Sequence, residues 1–177
     1  MLYSIALRFD EQLEKEIRSI RYQFDEEGFL KLKDEDGEFP HITMAIGVEG
    51  KENDVLRIMN NKKISNRSIR LEPFGVFFNE RKAIYLNAVL SEELQRFHCY
   101  IYEEIKKQNM NYLKRCAPGS VIFHTTIVRD LDDKELMKAV EVMMKNRRKL
   151  FGKIDSIEVW QYPPPSIVNT ISIEDKE

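Results

Sequence analysis

The sequence predicts an α+β protein made of two lobes, on three observations. One order of elements (strand, helix, histidine-bearing strand, helix, strand) is read twice, over about 1–78 and again over about 83–173. The strands alternate apolar and polar residues, whereas the helices carry apolar stripes at three- and four-residue spacing; these are the periods of sheet and helix. The 177 residues, 42% hydrophobic and 33% charged, suffice for a buried core, and no low-complexity linker divides them. The expectation is a single compact domain over 1–177, its two lobes facing across a groove.

Leu2–Phe9 reads as the first strand, and Leu13, Ile17, Ile20 and Phe24 then mark one face of a helix. A charged loop around Asp34–Gly37 closes at Phe39-Pro40, and His41–Val48 is the next strand. Asp54–Asn61 is a short helix with Val55, Ile58 and Met59 inward. Ser68–Phe78 is a long strand, turned by Asn79-Glu80-Arg81 into the strand Ala83–Leu90. The order then restarts. Ser91 caps a helix with Glu92 and Glu93 in its first turn, where the partial positive charge of the helix start favours them. Leu94, Phe97, Ile101 and Ile105 form its apolar face. A loop containing Pro118-Gly119 leads into the strand Val121–Val128. Asp132 with Glu135 reads as a capping box, starting a helix striped by Leu136, Val140 and Met143. Ile154–Trp160 and Ile167–Ile173 are closing strands around the turn Pro163-Pro164-Pro165.

Charge and composition narrow the function. With 28 Lys and Arg against 30 Asp and Glu the net charge is −2, so any nucleic-acid contact must be local rather than a long basic track. Cys99 and Cys116 lack ligand spacing and read as reduced thiols, which points to the cytoplasm. The N-terminus has no basic start or small-residue cleavage site. No apolar run approaches the ~18–20 residues of a membrane span. The expectation is a soluble protein with no membrane partner. A metal cage of His and Cys is short of ligands, since the histidines are only His41, His98 and His124.

Two of these histidines sit in matching contexts. The first reads Pro40-His41-Ile42-Thr43-Met44-Ala45-Ile46, the second Phe123-His124-Thr125-Thr126-Ile127-Val128-Arg129. The offset, 124 − 41 = 83, corresponds to that of the repeat. On a strand, His and Thr two apart project from one face, with Ile42, Met44 and Ile46 opposite and Thr125 turned away from Thr126. An imidazole titrates near 6.5, so one can accept a proton while its partner donates one. Threonine hydroxyls can donate to a phosphate held between them.

The paired H-x-T-x motifs resemble those of the two-histidine (2H) phosphoesterase superfamily, in particular its LigT-like, "2′-5′ RNA ligase" branch. The likeness in element order extends over nearly the whole chain, including Glu72–Phe78 and Trp160-Gln161-Tyr162. One departure is Phe123, where a proline commonly precedes the second motif. The resemblance implies a duplicated fold with antiparallel sheets lining a central groove and helices outside. His41, Thr43, His124 and Thr126 would converge there on a phosphate. It also implies hydrolysis of a 2′,3′-cyclic phosphate or 2′-linked phosphodiester of an RNA end or small nucleotide, without metal or other cofactor. By analogy His124 is the base and His41 the acid, and the reverse reaction would join ends. Arg129 stands where many LigT-like sequences place a basic residue near the phosphate, although it could equally pair with Asp130 or Asp132.

The remaining candidates have plainer readings. Phe77, Phe78, Trp160 and Tyr162 could stack a base, although such residues on alternating strands are more often core; Tyr162 is the preferred one, because the prolines after it keep that end in a loop. His98 lies within the stripe between Leu94 and Ile101 and reads as a core residue. Lys145, Arg147, Arg148 and Lys149 read as a solvated helix end. The competing functions are an RNA-end or nucleotide-binding module using the same groove, and a metal hydrolase recruiting Asp130 or a glutamate. The second lacks H-x-x-x-H or H-x-E spacing. A monomer is expected.

Overall fold

Asp10 ends β1 (Leu2–Phe9) and begins α1 (Glu11–Glu26): its carboxylate accepts the Leu13 amide at 2.8 Å, satisfying a donor that the first helical turn leaves open. The same carboxylate accepts the Lys153 amide, tying the helix start to a strand far along the chain. Asp10→Ala is therefore expected to cost about 1–2 kcal/mol, read as a lower urea midpoint. An unchanged midpoint would count against the cap.

The computed structural model describes residues 1–29, 32, 39–59, 64–146 and 148–173. Its further elements are β2 (His41–Glu49), α2 (Glu52–Met59), β3 (Ser68–Phe77), β4 (Ala83–Leu90), α3 (Glu92–Lys107), β5 (His124–Val128), α4 (Asp133–Lys145), β6 (Leu150–Tyr162) and β7 (Ser166–Ser172). A 3-10 turn, Lys114–Cys116, precedes β5. Ser91 caps α3, and Asp132 with Glu135 forms the capping box of α4. The expected Asp34–Gly37 loop, the end of the second helix at Asn60-Asn61, and Arg147 lie outside the described residues.

All strand pairings are antiparallel, in the order β2-β1-β6-β3-β4-β5 with β7 added to β6. This order is symmetric about its centre. Each half of the chain lends its third strand to the other: β3 pairs with β4, and β6 pairs with β1. The long β6 joins the groups, pairing with β3 through Leu150–Lys153 and with β1 through Ile154–Tyr162. β2 and β5, at opposite ends of the order, also pack against each other, so the sheet curls until the two histidine strands meet.

The helices seal the apolar faces. Leu13, Ile17 and Ile20 of α1, Leu94, Phe97, Ile101 and Ile105 of α3, and Ile5, Leu7, Ile42 and Met44 of the sheet have no exposed surface. Each such side chain contributes roughly 1.5–3 kcal/mol by leaving water. Three expected elements shift. β5 begins at His124 rather than Val121, and β6 begins at Leu150 rather than Ile154 because its first residues pair with β3. In α4 the buried positions are Leu136, Ala139, Val142 and Met143, while Val140 is only partly buried, because the face meeting the protein runs at three-residue spacing.

Candidate active site

His41 begins β2 opposite Arg8, and Thr43 follows opposite Ala6. Directly opposed residues of an antiparallel pair share a face. One face therefore carries His41, Thr43, Arg8 and, from β6, Ser156, Glu158 and Trp160. Ile42, Leu7, Ile157 and Val159 take the other, in the core. On β5, His124 stands opposite Asn87 and Thr126 opposite Tyr85. All four motif side chains are half-buried, whereas Thr125 is fully buried on the opposite face, as expected.

Both motifs carry the same irregularity. Ala6 pairs with Thr43 and Ile5 with Ala45, which leaves Met44 without an opposed residue. Likewise Tyr85 pairs with Thr126 and Ile84 with Val128, skipping Ile127. Each threonine is thus followed by a β-bulge, which shifts the alternation by one residue. Met44 and Ala45 are consequently both buried, as are Ile127 and Val128. Ile46, expected inside with Ile42 and Met44, is displaced to a half-buried position, and Val48 takes the core place.

The histidines are anchored alike. The Nδ1–H of His41 donates to the Phe39 carbonyl at 2.7 Å, and that of His124 to the Ile122 carbonyl at 2.6 Å, each two residues back. A carbonyl can only accept, so Nδ1 carries the hydrogen and the neutral ring holds its lone pair on Nε2. Around His124 stand two aromatic rings: Phe77 at 4.9 Å and 77°, and Tyr85 at 5.1 Å and 60°. These two rings stack on each other at 4.2 Å. Burial holds the His124 imidazole below its usual 6.5, the Ile122 carbonyl opposes the shift, and the Arg115 charge adds to it.

Arg21 of α1 crosses to the second motif, donating to the Thr126 carbonyl through Nε at 3.2 Å and Nη2 at 2.7 Å. That carbonyl lies where the bulge interrupts the ladder. Arg21→Met is expected to cost about 1–3 kcal/mol by leaving a partly buried acceptor unmet, read as a lower melting temperature. An unchanged melting temperature would mean that water satisfies the carbonyl as well.

Arg129 is half-buried at the end of β5, with Nε 3.4 Å from Asp130 Oδ2. Asp130 is held more firmly by Arg81, at 2.7 and 3.0 Å, and Asp132 is spent on the α4 cap. His98 is buried, with Nε2–H donating to the Cys116 carbonyl at 2.7 Å, in agreement with a core reading. Two base-stacking candidates are placed otherwise than expected. Trp160 is 7% exposed and donates its indole N–H to Glu158 Oε2. Tyr162 shares the His41 face but pairs with Leu2, six positions along β1 from Arg8, roughly 20 Å at the rise of a strand. It stands at the far end of the ladder from His41. Phe77 meets His124, while Phe78 is exposed beyond the strand end.

Arg8, Arg21, Tyr85 and Arg115 were not evident as site residues from the sequence. A charged residue inside the apolar strand Leu2–Phe9 was the available signal for Arg8; for Tyr85 there was none. Burial also holds His98 below the usual imidazole value. Unfolded, both imidazoles titrate near 6.5, so just below that pH the unfolded chain binds more protons and stability falls. The urea midpoint is expected to be lower at pH 5.5 than at pH 7.5, and the difference to shrink in His98→Asn. A difference as large in that variant would remove His98 as a cause.

Among the described residues no group of three or more His, Cys, Asp or Glu side chains is placed to hold a metal ion. No described helix is long and apolar enough to cross a membrane.

The family model described as "2′-5′ RNA ligase superfamily" matches residues 9–164. The chain belongs to the 2′-5′ RNA ligase superfamily. The stretch matched in this superfamily member contains both histidine motifs and most of the sheet. Its fold is that of solved LigT-like 2H phosphoesterases. TT0787 of Thermus thermophilus superposes with a TM-score of 0.65 at 13% identity, over 100% of each chain. E. coli LigT complexed with 3′-AMP gives 0.66 at 10% identity, over 98% of each chain. The MHV ns2 PDE domain gives 0.57 at 13%, over 95% of this superfamily member and 99% of its own chain. No curated protein matches it in sequence.

Proposed function

We propose that the protein is a metal-independent phosphodiesterase that opens a 2′,3′-cyclic phosphate, or cleaves a 2′-linked phosphodiester, of an RNA end or small nucleotide. The observation that carries this reading is the duplicated device: a His and a Thr on one face of a bulged strand, with Nδ1 anchored two residues back. Family membership and the crystallisation of E. coli LigT with 3′-AMP and with ATP support a nucleotide-like substrate.

In this mechanism His124 Nε2 takes a proton from water as its oxygen attacks phosphorus. The bond from phosphorus to one ribose oxygen breaks, and His41, protonated on both nitrogens, gives its Nε2 proton to that oxygen. Thr43 and Thr126 donate to the non-bridging oxygens, with Arg129 neutralising their charge. The aromatic surroundings of His124 favour its neutral form and so the role of base. Exchange of protons with solvent restores both rings. The reverse reaction would join ends. We place the activity in the cytoplasm, where the free thiols of Cys99 and Cys116 stay reduced.

The test is incubation with a nucleoside 2′,3′-cyclic phosphate in EDTA. Conversion to a nucleoside monophosphate at an undiminished rate is expected. Activity appearing only on addition of metal would overturn the mechanism, and tight binding without turnover would favour a binding module.

A further inference from the structure

The proposed chemistry leaves unused a charged cluster beside His41. Arg8, opposite His41 in the β1–β2 ladder, donates to Glu14 Oε1 from Nε at 2.9 Å and Nη2 at 2.6 Å. Its Nη1 donates to Glu158 Oε1 at 2.9 Å, while Glu158 Oε2 accepts from Trp160 Nε1 at 2.9 Å. Glu14 also pairs with Arg18 at 2.8 Å. The side chains of Arg8, Glu14 and Glu158 are only 14%, 10% and 7% exposed.

The guanidinium is also pressed on a ring. Its carbon lies 4.6 Å from the centre of Phe39, and Trp160 flanks the same ring at 6.4 Å and 47°. Phe39 is the residue whose carbonyl receives His41 Nδ1–H. Its side chain is thus held by a fixed cation and an indole, and its backbone is spent on the imidazole.

Buried charges are a costly way to stabilise a fold, since apolar residues of similar volume often do as well. Their use here calls for a positional reason. The planar, multiply bonded guanidinium holds one orientation, which a lysine ammonium would not. The second motif lacks this arrangement: Ile122, whose carbonyl anchors His124, has an exposed side chain, and the rings of Phe77 and Tyr85 contact that imidazole directly.

We propose that Arg8, set by Glu14 and Glu158, is a positioning residue that clamps Phe39 so that its carbonyl holds the Nδ1–H of His41, in the neutral ring and in the cationic acid alike, with Nε2 turned to the substrate. Its effect on turnover rests on the phosphodiesterase reading; its effect on the imidazole does not.

The experiment is nitrogen NMR of the histidine side chains, with steady-state kinetics, for the wild type, Arg8→Met, Phe39→Leu and Phe39→Tyr. Phe39→Leu removes the ring but keeps every charge and the carbonyl, so it remains informative if Arg8→Met does not fold. At a pH where the ring is neutral, the wild type is expected to show His41 protonated on Nδ1 alone. Arg8→Met and Phe39→Leu should each give a mixture of tautomers and lower kcat about tenfold with KM within about twofold. Phe39→Tyr, which keeps the ring, should restore the wild-type pattern. Trp160, the only tryptophan, should shift its emission in Arg8→Met as its partner Glu158 loses the guanidinium. An unchanged His41 tautomer in both Arg8→Met and Phe39→Leu would overturn the proposal. Altered tautomers in these variants, beside a wild type without turnover, would support it and reject the phosphodiesterase reading instead.

Discussion

His124→Ala is expected to lower hydrolysis of a nucleoside 2′,3′-cyclic phosphate by roughly 10²–10⁴-fold, the range a positioned general base supplies. His41→Ala should lose a comparable factor as the acid. The two act on one transition state, so the double variant should lose far less than the product of the single losses. Thr43→Val and Thr126→Val, which keep shape but delete the donor, should have smaller effects. The pH dependence follows from the His124 environment. Burial holds its pKa below 6.5, so the neutral base persists into mildly acid solution and the acid limb of kcat/KM should lie below that value, while an alkaline limb should appear as His41 loses the proton it must donate. Wild-type turnover in both His→Ala variants would sink the assignment. Circular dichroism of each variant separates lost chemistry from lost structure.

Gly75→Val is expected to destabilise the protein by about 1–3 kcal/mol, the usual cost of overpacking, and to reduce activity as well. Gly75 lies opposite Tyr85 in the β3–β4 ladder, and a Cβ there would come within 2.4 Å of the Tyr85 ring and its hydroxyl. Tyr85 cannot yield freely, because it is buried, stacked on Phe77 and set edge-on to His124. The displacement therefore reaches the imidazole. For a chain of this size the expected fall in Tm is about 2–12 °C, at roughly 2–4 °C per kcal/mol. A lower Tm with full activity would show that the Tyr85 contact does not matter to His124. An unchanged Tm would mean that the ring moves aside at no cost.

The parts of the site legible in advance share one property. The His–Thr spacing, the inward Thr125, the caps at Ser91 and Asp132 and the core position of His98 each depend on residues within a turn or two of one another. What escaped depends on partners distant in sequence. The bulges after Thr43 and Thr126 exist only once β1 and β4 are paired alongside. The prolines after Tyr162 predict a loop there, but it is the last residue of β6, and the β1–β6 register places it at the far end of the ladder from His41. Trp160 reads in sequence as either a stacking or a core ring; it is buried, with its indole N–H on Glu158.

Element order, the doubled motif and the family resemblance are readable without a structure, because periodicity, capping and motif spacing are short-range properties written in neighbouring residues. The exchange of third strands between the halves, the anchoring of both imidazoles through Nδ1 on a carbonyl, and the meeting of Arg8 with a glutamate 150 residues away emerge only in the folded chain. Those outcomes are set by strand register and burial, in which a one-residue slip turns every side chain to the other face.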